Sequence, residues 1–280
     1  MTTLFVKGLT VLDFSYLHHA RGLLGESWSL DITLTGDLDQ QGMVLDFAAV
    51  KRQVKTLVDL EFDHKLIVPV KASAVTINQQ QEHCTLRFDY GTPQACIEHH
   101  SPASALCLLP ADSVTPESVA AAITASLSKE MPANVSHLKI SLSPEQIEGP
   151  CYHYSHGLKH HQGNCQRIAH GHRSRIEIRR DGHRSHRLET LWAEKWRDIY
   201  IGNSEDLVNR EGGRHLYRYL ASQGDFALQL PASRCYDIDT DSTVENLAQH
   251  IADSLKQQHP ESTFEVLAYE GIGKGAVGKS

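Results

Sequence analysis

His170 and His172 are separated by one glycine in Ala169-His170-Gly171-His172-Arg173, at the start of a segment that alternates through Ile176 and Ile178. Residues i and i+2 of a strand point to the same side. The pair can therefore chelate one ion, and Gly171 between them adds no bulk. A third ligand must come from a neighbouring strand, and His156 ends the preceding extended segment, Cys151 to His156. Three neutral imidazoles with one position left open make a catalytic-type zinc site. The open position takes a substrate oxygen and polarises it. The tract from His153 to His186 is dense in histidine. His160, His161, His183 and His186 are rival ligands or solvated surface residues.

Elements must hold these side chains in place. Arg173 to Arg179 alternates as a half-buried strand does, with Ile176 and Ile178 on one side. Leu188 to Trp196 reads as helix. Thr243 to Lys256 is an amphipathic helix with Val244, Leu247, Ala248, Ile251 and Leu255 on its apolar face. Phe264 to Tyr269 is a closing strand, and Gly271, Gly273, Gly275 and Gly278 mark a flexible tail. The first half carries a similar programme. Phe5 to Phe14 and Trp28 to Thr35 read as strands, Gly36 to Gly42 as a turn, and Met43 to Phe47 as a short extended piece. Ala48 to Leu60 is helical, with Val50, Val54, Leu57 and Val58 on one face. A second helix runs from Pro116 to Ser128, with Thr115 as cap and Pro116 at its first position. His137 to Leu142 is a last strand. Two such programmes point to an internal duplication. Glu148-Gly149-Pro150 is the breaker between residues 1–148 and 149–280.

The 280 residues suit two domains of about 140 each. Hydrophobic content of 40% and charged content of 22% are those of a globular chain. No apolar run reaches the roughly 18–20 residues of a membrane span. No secretory signal is read at Met1 to Lys7. A net charge of −7 gives no reason to expect a nucleic-acid or membrane partner. Six cysteines without framework spacing fit a reducing cytoplasm.

Tyr152-His153-Tyr154-Ser155-His156 and Cys165-Gln166-Arg167-Ile168-Ala169-His170-Gly171-His172 resemble an aromatic strand ending in a zinc histidine, a cysteine loop and a His-Gly-His strand. Ser242-Thr243-Val244-Glu245-Asn246 resembles a Pro-Thr-x-Glu-Asn helix start, and Glu270 follows the strand after it. In the first half, Asp37 to Lys51 resembles a turn and helix start, and Phe62-Asp63-His64-Lys65-Leu66 an Asp-His-Lys element. Together these features are similar to the 6-pyruvoyl-tetrahydropterin and 6-carboxytetrahydropterin synthase family, in a tandem fused form.

The resemblance implies an α+β chain of two tandem tunnelling-fold (T-fold) domains. Each would be a four-stranded antiparallel sheet with two helices on one face. It implies a zinc-dependent lyase acting on 7,8-dihydroneopterin triphosphate. The product would be 6-carboxytetrahydropterin, feeding deazapurine and queuosine synthesis, or 6-pyruvoyltetrahydropterin. Cys165, Asp63 and His64 would be catalytic, His156, His170 and His172 the metal ligands, and Glu270 and Thr243 the pterin contacts. A cytoplasmic homo-oligomer is expected. A non-catalytic zinc-binding T-fold scaffold is the rival reading.

The halves depart from the family in complementary ways. Phe14-Ser15-Tyr16-Leu17-His18 is followed by Leu24-Gly25-Glu26, leaving His18 and Glu26 of the metal set, and the counterpart of Glu270 falls near Leu142 or Ser143. The second half reads Arg197-Asp198-Ile199-Tyr200 where Asp-His-Lys is expected. A composite site follows, with Asp63 and His64 lent to the zinc, Cys165 and Glu270 of the other half. Segments 70–112 and 203–235 match the family poorly.

Overall fold

The computed structural model describes residues 1–91 and 95–280. The first half runs β1 (Thr2–His18), β2 (Gly22–Gly36), α1 (Phe47–Glu61), β3 (Leu66–Pro69), β4 (Val75–Gln80), β5 (His83–Asp89), β6 (Cys96–Pro102), β7 (Leu106–Leu109), α2 (Pro116–Leu127) and β8 (Val135–Pro144). The second half runs β9 (Cys151–His156), β10 (His170–Arg180), β11 (His183–Arg184), α3 (His186–Lys195), β12 (Ile199–Asn203), β13 (Leu207–Glu211), β14 (Arg214–Ala221), β15 (Gly224–Pro231), β16 (Cys235–Ile238), α4 (Val244–Gln258), β17 (Phe264–Tyr269) and β18 (Gly275–Lys279). Apart from the short β11 and the final β18, the order of elements repeats. The chain is α+β with tandem T-fold architecture.

Local chemistry starts the helices where the sequence places them. Asp46 caps α1 by accepting from the Ala49 N–H. Thr115 and Ser118 form a reciprocal capping box on α2, with Pro116 behind the cap. Thr243 caps α4. The apolar faces of α1 and α2 share one core with β1, β2 and β8. Those of α3 and α4 share another with β9, β10 and β17.

Two of the sheets, one built by each half, are larger than four strands and are mixed. The first has the order β7-β3-β1-β2-β8, with β3 parallel to β1 and β7 parallel to β3. Parallel neighbours need a crossover, and α1 supplies it between β2 and β3. The second has the order β16-β12-β9-β10-β17-β18, with β11 also on β10. Two local expectations fail. Met43 to Phe47 is not extended: Asp39 Oδ1 accepts from the N–H groups of Gln41 and Met43 in the turn that leads into it, Val44 and Leu45 bend, and Phe47 already opens α1. The glycine tail is β18, paired antiparallel along β17. Gly271 and Gly273 take positive φ in the hairpin turn, and Gly278 lets β18 pass close to α4.

Segments 70–112 and 203–235 build a third sheet, β13-β14-β15-β6-β5-β4. Its halves join where β15 pairs antiparallel with β6, Leu228 opposite His99. The joint core beneath it draws on both halves, with Leu17, Leu66, Leu86 and Phe88 beside Ile168, Tyr200, Tyr217 and Phe226.

Candidate active site

The β9–β10 register sets His156 directly opposite His170 and Tyr154 opposite His172. All three histidines are fully buried. One ring nitrogen from each lies within 4.8 Å of the others. Second contacts decide which nitrogens face inward. His156 Nδ1–H donates to the Ser242 carbonyl (3.1 Å), just before the α4 cap, and His170 Nδ1–H to the Arg167 carbonyl (3.0 Å). A carbonyl only accepts, so both rings carry their proton on Nδ1 and turn an Nε2 lone pair inward. Burial, and then the neighbouring imidazoles, hold both rings well below the usual histidine range, so they are neutral. The Nε2 atoms of His156 and His172 are buried without a hydrogen-bond partner. Orphaned buried nitrogens are unfavourable unless something satisfies them, and a zinc ion fits this set.

His64 and Cys165 join this cluster, although they lie on different halves. Ligand atoms of His64, Cys165 and His170 fall within 4.8 Å of one another, and the His64 and His170 rings are 5.2 Å apart. His64 Nδ1 is 2.5 Å from Asp63 Oδ2, so its Nε2 is the nitrogen free to work. Burial pulls the His64 pKa down, but the Asp63 hydrogen bond and then Cys165 reverse this and push it up to about 10. Glu270 Oε1 lies 3.8 Å from His172 Nε2. Thr243 follows Ser242, the residue that touches His156, and its hydroxyl serves as the α4 cap. The rival histidines stay outside: His160 binds Asp241, His161 accepts from Gly163, His186 binds Glu189, and His183 is exposed.

The cysteine loop is held by residues that no motif marks. Gln166 is buried, and its Oε1 accepts from Ser222 Oγ and the Gln223 N–H. Gln223 Nε2 donates to Asn164 Oδ1, and Tyr219 Oη to the Gln166 carbonyl. The β14–β15 turn of the third sheet thus grips the loop on both sides of Cys165. Only the fold reveals this use for segment 203–235.

A family model described as 6-pyruvoyl tetrahydropterin synthase matches residues 11–149. Over that segment the chain belongs to the 6-pyruvoyl tetrahydropterin synthase family. Among solved structures, 6-pyruvoyltetrahydropterin synthase from Plasmodium vivax is 18% identical, with a TM-score of 0.43, covering 52% of this chain and 93% of that one. A catalytic-residue mutant of the same enzyme gives the same values. The Plasmodium falciparum enzyme is also 18% identical, with a TM-score of 0.42, covering 51% of this chain and 90% of that one. No curated protein matches.

The synthase-family segment carries the emptier of two equivalent sites. Ser15 and Ser155 hydrogen-bond to each other at 2.7 Å, and each stands opposite a glycine, Gly25 or Gly171. Those glycines abut: a Cβ on Gly171 would lie 2.7 Å from Gly25 Cα, and one on Gly25 would strike the Tyr154 carbonyl. A local two-fold axis therefore relates the halves here. By this register Tyr16, Leu24 and Glu26 occupy the places of His156, His170 and His172. His18, expected as the surviving ligand, lies two residues past that place and accepts from Ala20 and Arg21 N–H instead. Pro144, not Leu142 or Ser143, stands where Glu270 does. Asp198 stands where His64 does, and both keep a left-handed backbone (φ 57° and 52°). It binds Arg21 and lies 3.7 Å from Arg234. The cysteine loop has no counterpart between His18 and Gly22, and a cavity of about 640 Å³ opens beside Tyr16, His18 and Thr115.

Glu26 makes this site sensitive to pH. Burial pushes its carboxyl up to about 7, and only partly does the Ser27 N–H oppose that. His153, 3.9 Å away, is itself driven down to about 4 by burial and supplies no charge near neutrality. A carboxyl raised on folding holds its proton better in the native state, so stability is full below about pH 4.5 and falls as pH rises through 7. Glu26→Gln is expected to match the parent at pH 4.5 and exceed it at pH 8 by on the order of 3 kcal/mol. Urea unfolding at both pH values checks this. A difference that does not change with pH removes Glu26 as its source.

Proposed function

We propose that the chain is a zinc-dependent pterin synthase that acts on 7,8-dihydroneopterin triphosphate and yields 6-carboxy-5,6,7,8-tetrahydropterin. In this reading residues 1–148 form a domain without the full metal set and residues 149–280 the zinc-bearing domain. The observation that carries it is the meeting of His64 and Cys165 beside the three-histidine cluster within one chain. Zinc, held by His156, His170 and His172, would polarise a substrate side-chain oxygen and acidify the adjacent C–H.

The protein's own groups do the rest. Cys165 takes the carbon-bound proton, and His64 Nε2 exchanges protons with the sulfur and the substrate. Asp63 holds the opposite ring nitrogen and fixes the tautomer. Glu270 accepts two N–H bonds from the aminopyrimidinone, and Thr243, at the α4 start, is the second pterin contact in this reading. Proton abstraction comes first for either pterin product. A cytoplasmic homo-oligomer belongs to the same reading. The first sheet ends on β8 and the second on β18, and open edges of this kind invite pairing between copies. No helix among the described residues is long and apolar enough to cross a membrane.

Incubation of the zinc-loaded protein with 7,8-dihydroneopterin triphosphate, read by mass spectrometry, tests the proposal. 6-Carboxytetrahydropterin is the expected product. Tight zinc binding with no turnover of the pterin would turn the reading to the scaffold. Glu270→Gln keeps the shape but loses the charge and replaces one acceptor by a donor. It is expected to weaken pterin binding by about 1.5–3 kcal/mol, measured by titration calorimetry. Unchanged affinity would take Glu270 out of the site.

A further inference from the structure

Asp13 lies on β1 in the first half, with 3% of its surface exposed. Its carboxylate faces a metal histidine of the second half: Oδ1 is 3.2 Å from His172 Nδ1. Ser27 Oγ donates to the same oxygen at 2.5 Å, and Lys274 Nζ sits 3.0 Å from Oδ2. The backbone of Asp13 is engaged as well. Its N–H donates to Asp63 Oδ1 (2.8 Å), and its carbonyl accepts from the His64 N–H (2.7 Å). The turn between β17 and β18 closes over the carboxylate at Gly271. There φ is +75°, and a Cβ would lie 2.5 Å from Asp13 Oδ1 and 2.6 Å from Ser27 Oγ.

The other two metal histidines have their Nδ1–H on backbone carbonyls, each supplied by the second half. His172 has no such carbonyl: its Nε2 is buried and unpartnered, and its Nδ1 makes no aligned hydrogen bond but has the Asp13 carboxylate as the acceptor 3.2 Å away. A carboxylate with Lys274 and Ser27 on it can only accept from the ring, so it demands Nδ1–H and leaves the Nε2 lone pair facing the cluster. The two-fold axis repeats the contact with its partners exchanged. There Glu26 stands for His172 and His153 for Asp13, 3.9 Å apart. The slot takes one imidazole and one carboxylate in either order.

We propose that Asp13 is a positioning residue that fixes the His172 tautomer and thereby makes the first half a determinant of zinc affinity in the second. This rests on the three-histidine reading of the metal site. Through its backbone the same residue ties Asp63 and His64 to that histidine, so metal and proton-transfer groups share one support.

The test uses the full chain and zinc alone. Asp13→Asn presents an amide N–H where an acceptor stood, favouring the wrong tautomer. Zinc affinity by chelator competition is expected to fall about 10- to 100-fold. Ser27→Ala, which keeps the carboxylate in place, should stay within about threefold. Long-range proton–nitrogen NMR of ¹⁵N-histidine-labelled, zinc-loaded parent protein is expected to find His172 bound through Nε2 with Nδ1 protonated. That measurement stands even if Asp13→Asn fails to fold. Binding through Nδ1, or parent-like affinity in a folded Asp13→Asn, overturns the role of Asp13. If the parent takes up no zinc, or His170→Ala binds it as tightly as the parent, the metal-site reading fails instead.

Discussion

Cys165→Ala and His64→Ala variants are each expected to lose roughly 10²- to 10⁴-fold in turnover of the pterin triphosphate while keeping their zinc. Each removes one partner of a proton-transfer pair and leaves the His156, His170 and His172 cluster in place. His170 belongs to two overlapping sets, the three histidines and the His64–Cys165–His170 group. Loss of zinc from Cys165→Ala would mean that the second set holds the metal. Because His64 and Cys165 meet within one chain, mixing the two inactive variants is expected to restore nothing. Recovery on mixing would mean that the working pair comes from two chains, and the single-chain site would fall. Steady-state rates, with zinc measured on the same samples, decide between these outcomes.

The purified protein is expected to carry one zinc per chain. His170 has its Nδ1 occupied by the Arg167 carbonyl and offers a single nitrogen, so its two sets cannot each hold an ion. The equivalent place in the first half presents Tyr16, Leu24 and Glu26, and leucine donates nothing. His170→Ala should lose the metal, whereas His18→Ala should retain it. A ligand that binds only the native state at 100 to 1,000 times its Kd adds about 2.7–4.1 kcal/mol. Chelation should therefore lower the melting temperature of the parent and leave His170→Ala unmoved. Two tightly held metals per chain by elemental analysis would contradict the assignment.

The clustering of the three histidines was legible in the sequence because it depends on short spacing. His170 and His172 share a strand face because the period is two, and His156 ends the strand that pairs with theirs. Thr115 announces α2, and the apolar stripe of α4 gives its buried face. What depends on partners distant in sequence was not legible. Counting along Tyr16-Leu17-His18 favours the histidine as the surviving ligand, but the pairing of Ser15 with Gly25 sets the register and selects Tyr16. Pro144 emerges as the counterpart of Glu270 by the same route. The grip of Gln223 on the cysteine loop and the place of Asp13 beside His172 need contacts across the fold. The strands β3 and β12 were not read at all, because each is a short run buried on both faces and shows no alternation.

The antiparallel joint between β6 and β15 also governs how the chain reaches its native state. His99 and Leu228 are neighbours there although the whole of β7, α2, β8 and most of the second half lie between them along the chain. Closing so long a loop is entropically unfavourable before any contact offsets it, and contacts of such sequence separation slow folding. The core under the joint belongs to neither half alone, so each half must remain incomplete until the other arrives. Folding and unfolding of the two halves are thereby coupled into one cooperative step, and the site between them exists only once that step is finished.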